Sequence, residues 1–325
     1  MRHGERTVPL GDGTIGVLPE EWISHWQTAL AFGETRGDRL RFGAHQAWFV
    51  DLLLSERLAQ FVDREGRQAW LEQKQRLAEF ERVTPVREPA SFRGELRPYQ
   101  REGLGWLEFL ERQRFGGCLA DDMGLGKTVQ VLAWLLARKE RSPRAAPALI
   151  VAPKSLTHNW LEEAQRFTPA LRVLEYVGTD RARTRARLAE HDLVLTTYGT
   201  ARSDVELLSE IEFGAVILDE SQAIKNEDSR TAKSVRLLRA EHRLALSGTP
   251  IENHLGELWS LFEFLNPGLL GRSTTFQTLL GASEDGQVDE ATRKLIAGAV
   301  RPFLLRRTKE EVLRDLPERT ELTVA

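Results

Sequence analysis

Cysteine is almost missing: Cys118 is the single one in 325 residues. No disulfide can therefore form within the chain, and no Cys/His cluster has zinc spacing. The seven histidines are scattered, which reads as surface or satisfied core positions rather than metal ligands. No sign of charge dominates, since 45 Lys and Arg against 48 Asp and Glu leave a net −3. Bulk charge thus does not mark a nucleic-acid partner, and one has to be argued from local sites. Long hydrophobic runs are also lacking. Stretches such as Val131–Ala137 fall far short of the roughly 18 residues that span a bilayer. Met1–Gly16 is charged and glycine-rich, unlike a secretion signal. These absences predict a cytoplasmic chain with no membrane partner.

What is present divides by texture. Residues 1–92 read as a helical N-terminal extension with a short β hairpin at Arg2–Val17. Leu18–Phe80 carries Trp22, Trp26, Trp48 and Trp70 at helical spacing, a core pattern. Val83–Phe92, with two prolines, reads as a linker. From residue 93 to 317, short β-branched runs alternate with helical segments. The runs are Gly117–Ala120, Ala148–Ala152, Arg172–Tyr176, Asp192–Thr196, Ala215–Leu218 and Arg243–Leu246. The helical segments include Lys127–Lys139, Leu156–Phe167, Arg181–Ala189 and Ser229–Ala240. This alternation predicts an α/β fold, a doubly wound parallel sheet covered on both faces, with ligands beyond the carboxyl ends of its strands. Residues 268–300 are expected to form helices packed on that lobe, with a polar loop at Ser283–Gly286.

Asp121-Asp122-Met123-Gly124-Leu125-Gly126-Lys127-Thr128 follows an expected strand and opens an expected helix, the context a phosphate-binding loop demands. Gly124 and Gly126 can turn their N–H groups to phosphates because no Cβ blocks the approach. Lys127 would reach the β- and γ-phosphates and Thr128 would ligate Mg²⁺. The general pattern begins with Gly where this chain has Asp121. By itself the segment also fits a glycine turn between strand and helix.

Farther on, the apolar run Ala215–Leu218 ends in Asp219-Glu220-Ser221-Gln222. Two acids at the exit of a buried strand lie where ligands bind. Asp219 can hold Mg²⁺, and Glu220 can orient and deprotonate the attacking water of ATP hydrolysis. An Asp-Glu pair alone would equally suit a helix N-cap. Its place after a phosphate loop, at the end of another strand, favours the catalytic reading.

Together these segments resemble the SWI/SNF-type ATPases of helicase superfamily two, and specifically their first RecA-like lobe. Leu96–Gly103 resembles the adenine-side motif, with Gln100 as the adenine reader. Ala152–Leu156 with Asn159-Trp160 resembles the first DNA-contact motif, and Thr196–Tyr198 the next. Ser247-Gly248-Thr249-Pro250-Ile251-Glu252-Asn253 resembles the motif that couples hydrolysis to movement, and Phe303–Lys309 the segment closing the lobe. An Asp at position 121 is usual in that family, and Ser221-Gln222 resembles its prokaryotic members. The resemblance implies a RecA-like phosphate-loop lobe that takes ATP and Mg²⁺ and works on double-stranded DNA, on the nucleoid. It puts Lys127, Asp219, Glu220 and Gln222 in the catalytic set and Gln100 with Asp121–Thr128 around the nucleotide. Thr128 and Asp219 fall at the metal. Lys154, Ser155, Thr157, Thr197 and Tyr198 would face DNA, and Ser247, Gly248 and Thr249 would couple the two, Ser247 and Thr249 toward Gln222.

A second ordered motif set is not found before Ala325, and residues 318–325 read as the start of a linker to a second RecA-like lobe, supplied in cis or in trans. That lobe would contribute the arginine finger, worth about 10³–10⁵ in rate in related enzymes. The expectation is a chain that binds ATP and hydrolyses it slowly alone. The competing reading is a nucleotide-dependent DNA-binding or interaction module with little turnover. A small-molecule kinase or GTPase leaves the blocks at Gln100, Lys154, Thr196 and Ser247 without a purpose.

Overall fold

The structure is a computed structural model. It describes residues 83–248 continuously, together with 7–9, 15–17, 33–36, 39–41, 46, 68, 71–72, 255–274, 276–277 and 290–312. The tryptophan-rich stretch at 18–80, the loop Ser283–Gly286, Thr249 and residues 318–325 lie wholly or largely outside these. The chain divides into two compact units: Val83–Ile224, Asp228–Asn253 and Phe303–Ala325 form one, and Met1–Arg82, Lys225–Glu227 and His254–Pro302 the other.

The first unit is a seven-stranded sheet in which every pairing is parallel. Its strands are β1 (Gly117–Leu119), β2 (Ala148–Ala152), β3 (Val173–Glu175), β4 (Leu193–Thr197), β5 (Glu212–Leu218), β6 (Arg239–Leu246) and β7 (Leu304–Leu305). Their order across the sheet is β7-β1-β6-β5-β2-β4-β3. Every residue of β2 is buried, as a parallel strand covered on both faces requires. Helices α1 (Pro98–Gln113), α2 (Lys127–Arg141) and α3 (Thr157–Phe167) pack in succession, and α4 (Tyr198–Ser203) and α5 (Val205–Glu210) pack on α6 (Arg230–Leu237). Pro98 starts α1 at a position that needs no N–H. Arg114 ends it in the left-handed region, φ 59°.

Register brings the motifs together. Leu119 pairs with both Leu246 and Leu305, and Leu218 pairs with Ala245 and Val151. The residues just beyond, Asp121, Ser247, Asp219 and Ala152, therefore leave the same carboxyl edge.

Two expected helices are corrected. Arg181–Ala189 forms two 3₁₀ segments, Asp180–Arg183 and Arg185–Glu190. Thr184 breaks the run, its hydroxyl donating to the Arg181 carbonyl at 2.8 Å, and Arg181 itself is held by Asp204 at 2.7 Å. Ser229–Ala240 is helical only at Arg230–Leu237. Ser229 caps it, accepting from the Ala232 N–H at 3.1 Å. Leu238 is extended, and the chain enters β6 at Arg239, paired with Glu212. Strand pairing overrides helical propensity there. The short strand β7 was not expected at all.

The second unit contains the hairpin Thr7–Pro9 with Ile15–Val17, inside the stretch expected to form one, and a further pair, Glu34–Arg36 with Arg39–Arg41. It also holds α7 (Leu255–Leu265) and α8 (Glu290–Val300). His254–Pro302 groups with this unit, and of the helices expected over 268–300 the described residues include Glu290–Val300. Phe262, Phe264, Leu269, Phe276 and Ala299 of this insertion between β6 and β7 are buried. Gln46 donates to the Gly268 carbonyl at 2.8 Å, tying residue 46 to the insertion.

Candidate nucleotide and metal site

The loop between β1 and α2 turns on two glycines in the left-handed region, Gly124 at φ 84° and Gly126 at φ 74°. Most side chains avoid that region. A Cβ on Gly126 would lie 2.5 Å from Gln100 Nε2, so the position needs glycine for space as well as for angle. Gln100 is buried and donates through Nε2 to the Leu125 carbonyl at 3.1 Å, while its Oε1 accepts from the Arg97 N–H at 2.9 Å. Tyr99 donates to the same Leu125 carbonyl at 3.1 Å. The residue expected to read adenine braces the phosphate loop.

Lys127 Nζ lies 2.7 Å from the Asp121 carbonyl and 3.3 Å from that of Asp122. Burial lowers its pKa, against the fields of Asp121, Glu220, Asp219 and Asp122. The acids of the second motif thus act on the lysine of the first through their fields. Gly248 closes the group: a Cβ there would stand 2.8 Å from Met123 Cγ and 3.7 Å from Lys127 Nζ. Ser247 is buried, and its N–H donates to the Leu119 carbonyl at 3.2 Å.

Asp219 is 8% exposed, and burial raises its pKa most, opposed by a hydrogen bond from Trp160. Glu220 has φ 49°, a left-handed conformation on a non-glycine residue. Such strain costs of order 1–3 kcal/mol and clusters at functional sites. Gln222 is exposed and donates to Glu220 Oε2 at 2.6 Å. Thr128 is half-buried in the first turn of α2.

The residues expected to meet DNA divide. Lys154 and Ser155 are exposed. Thr157 is buried, with its hydroxyl on the Lys154 carbonyl at 3.0 Å. Thr197 caps α4, accepting from the Thr200 N–H at 3.2 Å. The Tyr198 hydroxyl points inward and donates to the Asp219 carbonyl at 2.8 Å. Burial, then Asp219 and Glu220, pushes its pKa well above the usual tyrosine value.

Sequence reasoning missed Arg307. It donates to Asp121 Oδ1 from Nε at 3.0 Å and to Oδ2 from Nη2 at 2.6 Å, and Nη2 also reaches Gln130 Oε1 at 2.9 Å. A further bond runs to the Tyr99 carbonyl. The available signal was Asp121 itself, since a carboxylate inside a phosphate loop needs a counter-ion.

An all-parallel sheet with a glycine phosphate loop, an adjacent lysine and an acidic pair at one carboxyl edge defines a RecA-like nucleotide-binding lobe. Residues 99–325 match the SNF2-related domain, and the chain belongs to that family. YwqA of Bacillus subtilis, named as an ATP-dependent helicase/translocase, is 45% identical over 236 residues, which is 71% of this chain and 26% of YwqA. The TATA-binding protein-associated factor MOT1 of Saccharomyces cerevisiae is 39% identical across 75% of this chain and 14% of its own. The Sulfolobus solfataricus SWI2/SNF2 ATPase core in complex with dsDNA superposes with a TM-score of 0.65 at 39% identity, covering 71% of this chain and 48% of that one. The chain thus spans about a quarter or less of these two curated relatives and about half of the solved core.

Proposed function

We propose that this chain is the ATP-binding and hydrolysing lobe of a double-stranded-DNA translocase, acting in the cytoplasm on nucleoid DNA. The observation that carries the reading is the convergence of Lys127, Asp219 and Glu220 at one sheet edge in a chain of the SNF2-related family. Kinship with a core solved on dsDNA supports duplex DNA as the track.

The Gly124 and Gly126 turn supplies N–H groups for the phosphates, and Lys127 exchanges loop carbonyls for phosphate oxygens. Among the described residues no cluster of three or more His, Cys, Asp or Glu could hold a metal alone. Mg²⁺ needs none, since it is commonly held by one or two carboxylates together with substrate phosphates. Asp219 and the Thr128 hydroxyl fit that role. Mg²⁺, when bound, would neutralise charge on the transferring phosphoryl group. Glu220 takes the proton of the attacking water, and Gln222 fixes its carboxylate. The arginine finger comes from a second RecA-like lobe, in cis or in trans, because Arg307 is committed to Asp121.

The test is ATP hydrolysis by the purified chain with and without duplex DNA, beside Glu220→Gln. Mg²⁺-ATP binding with slow turnover is expected, rising on DNA once a second lobe is supplied and lost in the variant. Brisk DNA-stimulated turnover by the chain alone would show that the site completes itself between copies. Failure to bind Mg²⁺-ATP would overturn the proposal.

A further inference from the structure

Every oxygen of Asp219 accepts a hydrogen bond from the protein. The Trp160 indole N–H donates to Oδ2 at 2.8 Å, the Glu220 N–H donates to Oδ1 at 2.9 Å, and the Tyr198 hydroxyl donates to the carbonyl at 2.8 Å. Trp160 is 1% exposed. An indole has one polar atom, a donor, and here that donor is spent on a carboxylate. Trp160 belongs to α3, which follows the turn Lys154–Leu156, and Tyr198 opens α4 directly after β4. Both occur in segments that the sequence marks as facing DNA, yet their polar atoms turn toward the nucleotide side.

Asp121 gives the contrast. It is fully buried and gripped by a guanidinium on both carboxylate oxygens, which neutralises it and uses it up. The donors on Asp219 are neutral and one per oxygen. They fix its rotamer while leaving its charge and further lone pairs for a cation.

We infer that Trp160 and Tyr198 are positioning residues of the metal site: they hold Asp219 in its metal-binding orientation and fasten the two flanking loops to it. This rests on the proposed role of Asp219 as metal holder. Partners that orient a metal ligand typically change metal affinity by about 10–100-fold when removed. A displacement of either loop would be felt at the metal through a single hydrogen bond.

The experiment titrates Mg²⁺, and separately Mn²⁺ by electron paramagnetic resonance, into the full chain with a fluorescent ATP analogue. The variants are Trp160→Phe, Tyr198→Phe and Asp219→Asn, each checked by thermal melting. Metal-free nucleotide affinity should stay unchanged in the two phenylalanine variants. The half-saturating metal concentration should rise about 10-fold or more in Trp160→Phe, less in Tyr198→Phe and most in Asp219→Asn. A purely structural tryptophan would lower the melting temperature and leave the metal titration in place. An unshifted titration in both phenylalanine variants, beside a shifted Asp219→Asn, overturns the inference alone. An unshifted Asp219→Asn overturns the metal reading beneath it. Should Trp160→Phe not fold, Tyr198→Phe removes only a hydroxyl and decides by the same criterion.

Discussion

Arg307 and Asp121 form a buried ion pair that joins the segment after β7 to the first residue of the phosphate loop, with Nη2 to Oδ2 at 2.6 Å. Asp121 is 0% exposed and Arg307 8%. Removing one partner of such a pair leaves a bare charge in the interior, at a cost of about 3–5 kcal/mol. Arg307→Leu should therefore lose about that much stability in urea unfolding. Asp121→Asn combined with Arg307→Leu should lose clearly less than the two single losses added. Strict additivity would mean the pair does not act as a unit.

Gly126 is constrained twice, by φ 74° and by Gln100 Nε2 at 2.5 Å from its would-be Cβ. Gly126→Ala should reduce ATP affinity at least about 10-fold by displacing Gln100 and the loop. Gly178 also has positive φ, 73°, but among the described residues nothing lies within 4 Å of its would-be Cβ. Gly178→Ala should leave ATP affinity unchanged. Equal effects at the two sites would contradict the steric account.

Much of this site could be read in the sequence because its chemistry is local. The loop 121–128 and the pair Asp219-Glu220 depend on adjacent residues at strand ends, and the alternation of runs and helices announces the sheet. What could not be read depends on long-range pairing. β7 is two residues long and exists through its register with β1. Ala240 joins a strand because β5 lies beside it. The Arg307–Asp121 and Trp160–Asp219 contacts join positions 186 and 59 residues apart. The grouping of His254–Pro302 with the N-terminal residues is likewise set by contacts between distant positions, such as Gln46 to the Gly268 carbonyl.

Glu220 should be strained by its positive φ of 49°. Glu220→Gly relieves this and should be neutral or stabilising by about 1 kcal/mol, while abolishing hydrolysis. Glu220→Gln keeps the strain and should match the parent in stability. A marked loss of stability in Glu220→Gly would contradict the reading.

His242 stacks edge-on against Trp134, with ring centroids 6.4 Å apart, and its buried Nδ1 has no hydrogen-bond partner among the described residues. Burial, then Arg138, lowers its pKa to about 4. The unfolded chain protonates near 6.5 and so takes up the proton first. Stability should fall as pH drops from about 6.5 to about 4, and this contribution levels off below. His242→Phe keeps an aromatic ring and should flatten that part of the curve. An unchanged slope in urea melts across this range would refute the assignment.

Binding of an adenine nucleotide with Mg²⁺ by residues 121–128 is the first requirement of the proposed function. Its most direct measurement is equilibrium binding of a fluorescent ATP analogue to the chain and to Lys127→Ala, with ATP and GTP as competitors. Saturable Mg²⁺-dependent binding, displaced by ATP more readily than by GTP and lost in Lys127→Ala, is the predicted result. Undiminished binding in Lys127→Ala, or no binding by the parent chain, would contradict it.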